Sequence, residues 1–328
     1  MKAARIIIAL LGSFFLGVAH GQTDPYPEKP IRIIVPFGGG SGSDSTARYF
    51  AQRMAPTLGQ PVIVENRPGA DGSIGMMAAK SAPADGYTVV QGGISPSVVN
   101  AVLIRNLGYD PIEDFEPLLG YGRGMDVLVA SPESNLKSVA DLADRGQKAG
   151  RALTVGTYST TLALSANYIG HLLGIKTANV PYKGQAVVMN DVIGNHLDFA
   201  MVDLGGASPL IRSGKLIALG VTGEARHPEF PDIPTIRESG KADYVQYSWN
   251  AMFVRKGTPE DAKKKLSDAI RKIMTDEVTI REFYKPKGTE GVPLPPEKMV
   301  EMQKEQMVFY RKLADMLPEY SRDAAELK

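Results

Sequence analysis

The sequence predicts an α/β protein built from two lobes. Apolar strand patterns alternate with helical patterns along the chain, which indicates strand–helix–strand units with parallel strands. Two irregular stretches, 115–132 and 227–240, interrupt this alternation and are interpreted as crossings between the lobes. A chain of 328 residues with 43% hydrophobic residues can bury a large core without a disulfide or a metal.

The first 21 residues have the pattern of a secretory signal peptide. Lys2 and Arg5 precede an apolar stretch, and small residues precede the predicted cleavage before Gln22. The alternative, a membrane anchor, is disfavoured because the apolar run is short for a span of about 20 residues. The chain has no cysteine, which excludes a lipoprotein anchor and a disulfide framework. We therefore expect a soluble, exported mature protein.

The first lobe is predicted from two parts of the chain, 22–122 and 231–328. Its strands are apolar runs, and its helices place apolar residues on one face. The predicted strands are 31–37, 61–66, 87–93 and 250–257, and the predicted helices are 45–58, 74–82, 259–276 and 295–317.

The second lobe is predicted over 123–230, where the same alternation restarts. Its strands are again short and apolar, and each leads into a helical pattern. The predicted strands are 152–156, 177–182, 197–203 and 216–223, and the predicted helices are 138–149, 160–174, 184–195 and 207–214.

A stretch rich in glycine and serine lies between the first strand and the first helix. It has no Lys after the glycines, which argues against a nucleotide triphosphate loop, and it lacks the GxSxG pattern of a nucleophile elbow. Backbone N–H groups at a helix N-terminus can instead hold a carboxylate or a phosphate. A flexible turn without a ligand is the alternative. The candidate residues are Gly38, Gly39, Gly40, Ser41, Gly42, Ser43 and, as the expected N-cap, Asp44.

Two further strand ends offer polar residues. Between strand 152–156 and its helix lie Tyr158, Ser159, Thr160 and Thr161, whose alternative role is ordinary helix capping. Asp203 ends strand 197–203 and is a candidate cleft residue, again with capping as the alternative. Ligands in open α/β sheets bind outside the carboxyl ends of strands, which favours these positions.

Catalysis and metal binding have little support. The histidines after the signal, His171, His196 and His227, are scattered without metal-ligand spacing, and no acid–base pair is visible. Arg123 could reach an anion, although a solvent-facing role is the simpler interpretation. With 37 basic and 36 acidic residues, the chain has no overall attraction for nucleic acid. No cofactor is expected.

Several motifs together resemble the Bug family, the extracytoplasmic solute-binding proteins of tripartite tricarboxylate transporters. They include YPEKPIRIIVPF, GQPVIVENRPGADGSIG, YDPIEDFEPL, VPYKG, SGKLIALGVTGEAR and FPDIPTIRESG, and they run in order through nearly the whole mature chain. The resemblance implies a type II periplasmic-binding-protein fold with a ligand cleft at the hinge. It implies that Phe37–Asp44, the loop at 156–161 and the Asp203 region line that cleft.

The implied function is a monomeric, non-enzymatic periplasmic receptor that delivers a small carboxylate to membrane transporter subunits. The chain departs from the family at Gly38–Ser41, where the family usually has Pro-Ala-Gly-Gly after the Phe, and at Thr160 and Ala163, where it often has Ser and His. Tyr158 could stack on a planar ligand, which favours an aromatic carboxylate, while mono-, di- and tricarboxylates and amino acids stay open. A sensor subunit for a histidine kinase and a secreted α/β enzyme are the alternative functions.

Overall fold

A computed structural model gives the structure of residues 26–323 and of residue 325. The predicted signal peptide, 1–21, lies outside the described residues. Their strands are, in chain order, β1 (Ile31–Val35), β2 (Val62–Asn66), β3 (Thr88–Gly93), β4 (Ile104–Arg105), β5 (Phe115–Gly124), β6 (Asp126–Ala130), β7 (Leu153–Thr157), β8 (Thr177–Pro181), β9 (Phe199–Asp203), β10 (Ile217–Val221), β11 (Ser248–Arg255), β12 (Thr289–Glu290) and β13 (Arg322–Asp323).

The helices follow the predicted positions closely. They are α1 (Gly42–Leu58), α2 (Ser73–Lys80), α3 (Asn100–Leu103), α4 (Val139–Lys148), α5 (Thr160–Leu172), α6 (Gln185–Ile193), α7 (Leu204–Arg212), α8 (Glu260–Met274), α9 (Glu277–Thr279) and α10 (Pro296–Met316). Among the described residues, no helix combines the length and the apolar character needed to cross a bilayer.

Two mixed sheets carry the fold. The first has the order β12-β5-β11-β3-β1-β2, and the second has the order β10-β6-β9-β7-β8. β1 is parallel to β2 and β3, and β7 is parallel to β8 and β9, as predicted. The predicted parallel pairing does not extend to β11, which is antiparallel to β3 and β5, or to β6, which is antiparallel to β9 and β10. β5 leads out of the first sheet toward the second and β11 brings the chain back, so these neighbours run in opposite directions.

The connections between the sheets differ in detail from the predicted crossings. The glycine-rich stretch 120–124 belongs to β5, and a single residue, Met125, separates β5 from β6. The return connection follows the short 3-10 turn Arg237–Ser239 and enters β11 at Ser248. Because the first sheet uses strands from 31–124 and 248–290 and the second uses 126–221, we propose that the lobes divide near these connections.

Each sheet has buried side chains on both of its faces. In β3, Val90 belongs to a cluster with α2 and α10, whereas Val89 belongs to a cluster with α1 and α8. In the second sheet, one cluster contains α4 and α5, and another contains α6 and α7. Helices on both faces leave the carboxyl ends of β1, β7 and β9 as the places where loops can present polar groups.

Candidate functional site

The glycine-rich stretch of the first lobe is partly helical. α1 begins at Gly42, three residues before the predicted start, and Ser41 is its N-cap. The Ser41 hydroxyl accepts a hydrogen bond from the Asp44 amide, with 3.1 Å between Oγ and N. The prediction that Asp44 caps this helix is wrong, because Ser41 takes the cap and Asp44 lies in the first turn.

The Asp44 carboxylate is buried and surrounded by donors. The Gly40 amide lies 2.9 Å from Oδ2, Arg48 Nε lies 3.0 Å from the same atom, and Asn66 Nδ2 lies 2.9 Å from Oδ1. Burial acts to raise the pKa of Asp44, but Arg48, Gly40 and Asn66 outweigh it and lower the pKa below its ordinary value. The charge of Asp44 is therefore compensated within the loop, and Asp44 anchors the loop.

The start of α1 presents amides to open space. Gly42 and Ser43 are the first two helical residues, whose N–H groups have no acceptor inside the helix. Gly38, Gly39 and Gly40 are exposed, and a Cβ at Gly38 or Gly42 would meet nothing within 4 Å. Gly40 has a φ of +80°, which favours glycine. This end of α1 can therefore receive an anion.

The predicted second loop leads directly into α5, which begins at Thr160. Ser159 is its N-cap, and its hydroxyl accepts from the Leu162 amide at 3.3 Å. Ser159 therefore has the helix-capping role that was the alternative to ligand binding for this loop. The half-buried ring of Tyr158 packs against both core clusters of the second lobe.

Thr160 and Thr161 contact the first lobe. The Thr160 amide donates to Asp71 Oδ2 at 3.3 Å, and the Thr161 and Ser95 hydroxyl oxygens lie 2.7 Å apart. Asp71 belongs to the loop after β2, and Ser95 follows β3. Two strand ends of the first lobe thus meet the start of α5.

The loop that carries Asp71 also touches the glycine-rich stretch. A Cβ at Gly72, where φ is +91°, would lie 3.3 Å from the Pro36 Cβ and 3.2 Å from the Pro96 Cβ. A Cβ at Gly75 would lie 2.8 Å from the Pro36 Cα. The 69–75 segment therefore contacts both Pro36, which precedes the glycine-rich stretch, and the start of α5.

Asp203 stands opposite a second carboxyl group. Asp203 and Asp126 are register partners in the β6–β9 pair, and Ser248 Oγ lies 3.2 Å from Asp126 Oδ1. Burial, and next the charge of Asp203, raise the pKa of Asp126 well above its ordinary value; burial raises the pKa of Asp203 to about 6. Asp203 occupies the N-cap position of α7, but its side chain makes no capping bond there.

The two glycines after Asp203 allow neighbouring segments to pack closely against the start of α7. A Cβ at Gly205 would lie 2.3 Å from the Lys287 carbonyl oxygen, and a Cβ at Gly206 would lie 2.4 Å from Gln185 Oε1. The start of α7 therefore lies directly against the 285–287 turn that precedes β12.

The remaining polar candidates have structural partners. Arg123 pairs with Glu290 at 2.7 Å and lies over the Tyr247 ring, and 43% of its side chain stays exposed, as the solvent-facing interpretation expects. Asp198 pairs with Arg151 at 2.7 Å. Within the part of the chain that the structure describes, no group of three or more His, Asp or Glu side chains could hold a metal ion.

None of the predicted site residues lines either of two cavities on the described surface. One, of about 380 Å³, lies beside Tyr168, Arg237 and Tyr244, and the other, of about 390 Å³, lies beside Glu116, Lys263 and Ser267. Thr160 and Thr161 lie instead where the start of α5 touches the first lobe.

Sequence reasoning missed several residues of this region. Asn66 links the Phe37 carbonyl to the Asp44 carboxylate, with distances of 3.0 and 2.9 Å. Asp71 and Ser95 make the contacts to α5. Asn66 is the last residue of a predicted strand of the first sheet, and Asp71 and Ser95 follow predicted strands, so the rule that ligands bind at carboxyl ends could have singled them out.

Comparison with known proteins places the chain in one family. A family model described as "Tripartite tricarboxylate transporter family receptor" matches residues 46–313. A UPF0065 protein of Agrobacterium vitis is 35% identical over 285 residues, which are 86% of this chain and 82% of the relative. BugT of Bordetella pertussis is 31% identical over 297 residues, covering 88% and 90%.

Two similar solved structures contain a ligand. Rpa4515 of R. palustris with adipate has a TM-score of 0.84 at 28% identity and covers 88% of this chain and 97% of its own. MatC from Rhodopseudomonas palustris with bound malate has a TM-score of 0.81 at 25% identity, with coverages of 88% and 99%.

Proposed function

The chain belongs to the tripartite tricarboxylate transporter family of receptors, and from this membership we propose that it is a periplasmic receptor for a small organic carboxylate. The resemblance to the Bug family is confirmed by the family match and by the similarity to BugT. In the proposed role the receptor delivers its ligand to the membrane subunits of a tripartite transporter and performs no chemical conversion.

The open start of α1 carries this proposal. The amides of Gly42 and Ser43, together with the partial positive charge of about half a unit at a helix N-terminus, can hold a carboxylate without a basic side chain. Ser41 and Ser43 add hydroxyl groups. The bound dicarboxylates of Rpa4515 and MatC support this class of ligand.

The second lobe contributes the loop at 158–161 in the proposed cleft. Ligand binding would favour the arrangement in which the lobes touch, because a ligand held by both lobes binds that state better and shifts the population toward it. The Thr161–Ser95 contact belongs to this arrangement.

A thermal-shift screen of the mature protein, from Gln22 onward, tests the function. The panel contains aliphatic di- and tricarboxylates, hydroxy acids, acidic amino acids and aromatic acids, each with its amide as control. A ligand at 100 times its Kd stabilises by about 2.7 kcal/mol, which raises Tm by roughly several degrees. We expect at least one acid, and not its fully amidated form, to raise Tm. A panel without any effect, repeated on refolded protein, would contradict the receptor function.

A pair of variants tests the α1 cradle. Gly42→Pro removes one amide donor at the first helical position, where proline is tolerated, and Ser41 already has the extended backbone, with ψ of 163°, that proline requires before it. Gly42→Ala keeps the donor. We expect Gly42→Pro to weaken binding of the acid on the order of tenfold and Gly42→Ala to weaken it far less. Equal affinities of the two variants would place the carboxylate elsewhere.

A further inference from the structure

A buried glutamine of β3 lacks a hydrogen-bond partner. Gln91 is 1% exposed, and neither Nε2 nor Oε1 of its amide is bonded to any part of the chain that the structure describes. A buried polar group left unpaired is unfavourable, and native proteins usually satisfy such groups with the chain, a ligand or an ordered water. Gln91 is therefore a candidate for bonding to a molecule that enters the protein.

Gln91 lies near the carboxyl end of β3, on the face of the first sheet that α1 and α8 cover. Side chains alternate along a strand, so Gln91 shares the face of Val89, and its register partner in β11, Met252, belongs to the same cluster. Gly93, the last residue of β3, lies on this face as well and is half-buried. β3 itself therefore places no side chain between Gln91 and this end of the sheet.

Glycines flank Asn250 of β11 on both neighbouring strands. Its register partners are Gly93 in β3 and Gly122 in β5. Among the described residues that are not its chain neighbours, a Cβ at Gly93 would have within 4 Å only the Trp249 carbonyl oxygen, at 3.3 Å, and Asn250 Oδ1, at 4.0 Å. A Cβ at Gly122 would have only Tyr284 Cε1, at 3.8 Å. The three strands thus form a trough whose floor is the two glycines and whose central side chain is Asn250.

Gln91 and Asn250 lie on the same face of these strands. Register partners point to one face, so Asn250 shares the face of Gly93, and Gln91 is its diagonal neighbour. Diagonal neighbours are about 7–8 Å apart, within reach of long side chains. Asn250 is half-buried, and its side chain has no hydrogen bond to the described residues. The two amides are therefore close together with their hydrogen-bonding capacity unused.

We propose that Gln91 and Asn250 form a subsite for an uncharged group of the ligand that both donates and accepts hydrogen bonds. A hydroxyl and a carboxamide are groups of this kind. The preferred ligands are then organic acids that carry a hydroxyl or a carboxamide in addition to a carboxylate. This inference rests on the proposed function and narrows its ligand class.

The choice of group follows from the two unpaired atoms of the Gln91 amide. Nε2 donates and Oε1 accepts, so a hydroxyl or a carboxamide can satisfy both, whereas a carboxylate only accepts and would leave Oε1 unpaired. A site built to bond a hydroxyl discriminates strongly against an analogue without it, because the polar groups of the site are then left unpaired. The trough at Asn250 supplies the same two kinds of atom.

Titration calorimetry on the refolded mature protein tests the subsite with matched pairs of acids. Four- to six-carbon hydroxy acids and acid amides are each compared with the analogue in which hydrogen replaces the hydroxyl or a methyl group replaces the carboxamide. We expect the best acid with a polar group to bind at least on the order of tenfold more tightly than its analogue.

Two substitutions locate this preference. Gln91→Met removes the amide and keeps a side chain of similar length, so the ratio of the two affinities should fall to about one, chiefly because the acid with the polar group binds more weakly. Because an unpaired buried amide is lost, Tm of the ligand-free protein should stay equal or rise. Asn250→Ala should lower the ratio as well, and it decides the question if Gln91→Met does not fold.

Gln303→Met is the matched control. Gln303 is 0% exposed and its Oε1 is also unpaired, but it belongs to α10, which covers the opposite face of the first sheet. This variant loses the hydrogen bond from Gln303 Nε2 to the Ser97 carbonyl oxygen, so its Tm should fall. We expect it to keep the wild-type ratio of affinities.

The outcomes separate this inference from the proposed function. Equal wild-type affinities for the acids and their analogues overturn the subsite and leave the receptor function intact. A ratio that a folded Gln91→Met variant does not change does the same, and Gln91 then pairs with an ordered water. Absence of binding by every acid, with or without the polar group, overturns the receptor function and with it the inference.

Discussion

At the scale of single residues, four aspartates have different chemistry because their partners differ. Asp44 is compensated by Arg48, Asp71 accepts from the start of α5, and Asp126 and Asp203 face each other across two strands. Residue type alone could not separate these roles. The neighbours that the fold supplies decide which carboxylate is paired with a basic side chain, which accepts from a helix start and which has a raised pKa.

The Asp126–Asp203 pair gives a pH-dependent prediction for stability. Burial raises the pKa of Asp126, so its contribution to folding is most favourable below the ordinary carboxyl pKa of about 4 and is lost as pH rises through the raised value. Asn at 126 is neutral throughout and can still accept from Ser248. We expect Asp126→Asn to raise Tm by roughly a few degrees at pH 7.5, with the gain shrinking toward pH 4, in calorimetric scans.

Asp198→Asn is the matched control with the opposite sign. Burial acts to raise the pKa of Asp198, but Arg151 and Thr154 outweigh it and lower the pKa. Its contribution is therefore present above pH 4 and lost as pH falls through the lowered value. This variant should have a lower Tm at pH 7.5, and the deficit should shrink on acidification. Parallel pH profiles for the two variants would contradict this assignment.

At the scale of elements, the glycines of the loops have distinct reasons. Gly40 supplies a left-handed backbone, Gly75 lets α2 approach Pro36, and Gly205 lets α7 approach the 285–287 turn. Gly38 and Gly42 lie in open space. The sequence places Gly38, Gly40, Gly42 and Gly205 outside the predicted helices and Gly75 inside one, and only their three-dimensional neighbours distinguish a packing role from an open position.

This distinction predicts that two glycine-to-alanine changes in helices have unequal effects on the free energy of unfolding. Gly75→Ala places a Cβ 2.8 Å from the Pro36 Cα, so backbone must shift, and we expect a loss of about 1–3 kcal/mol in the free energy of unfolding. Gly42→Ala meets nothing within 4 Å and should change it by about 0.5 kcal/mol or less. Urea unfolding measures both. Similar losses in the two variants would show that the 2.8 Å approach does not decide the cost.

At the scale of the whole molecule, the lobes are joined by the chain and by contacts between loops. Met125 and the segment that enters β11 connect the two sheets, while Ser95 and Asp71 of the first lobe meet Thr161 and Thr160 of the second. These contacts link helix starts in one lobe to strand ends in the other. They bring the start of α5 against the loops that follow β2 and β3.

A double-mutant cycle measures this link. Ser95→Ala and Thr161→Val each remove one hydroxyl from the buried pair, whose oxygens lie 2.7 Å apart. Because the two groups bond to each other, we expect a coupling of about 0.5–1.5 kcal/mol in the free energy of unfolding. Ser95→Ala with Ser43→Ala, two hydroxyls without a mutual bond, is the control cycle. Additive effects in the first cycle would mean that the contact does not stabilise the arrangement of the lobes.

Much of the fold could be predicted because its patterns are local. The apolar runs of β1 and β7 and the apolar faces of α5 and α8 are written in consecutive residues, and the structure places these elements close to the predicted limits. The helix start at Gly42 was missed because glycine and serine have weak helical preferences, while the Ser41 cap and the Asp44 interactions favour helix there. The antiparallel β5–β11 pair was missed because pairing joins residues more than a hundred positions apart.

The sequence by itself determined the α/β class, the family and the loops that carry polar groups to the ends of β1 and β7, because periodicity and contiguous motifs need no distant partner. The tertiary structure decided that Ser41 caps α1, that Asp126 faces Asp203, and that Asp71 reaches Thr160 across the lobes. Those contacts join segments that are remote in sequence, and no local pattern records which of them will meet once the sheets have formed.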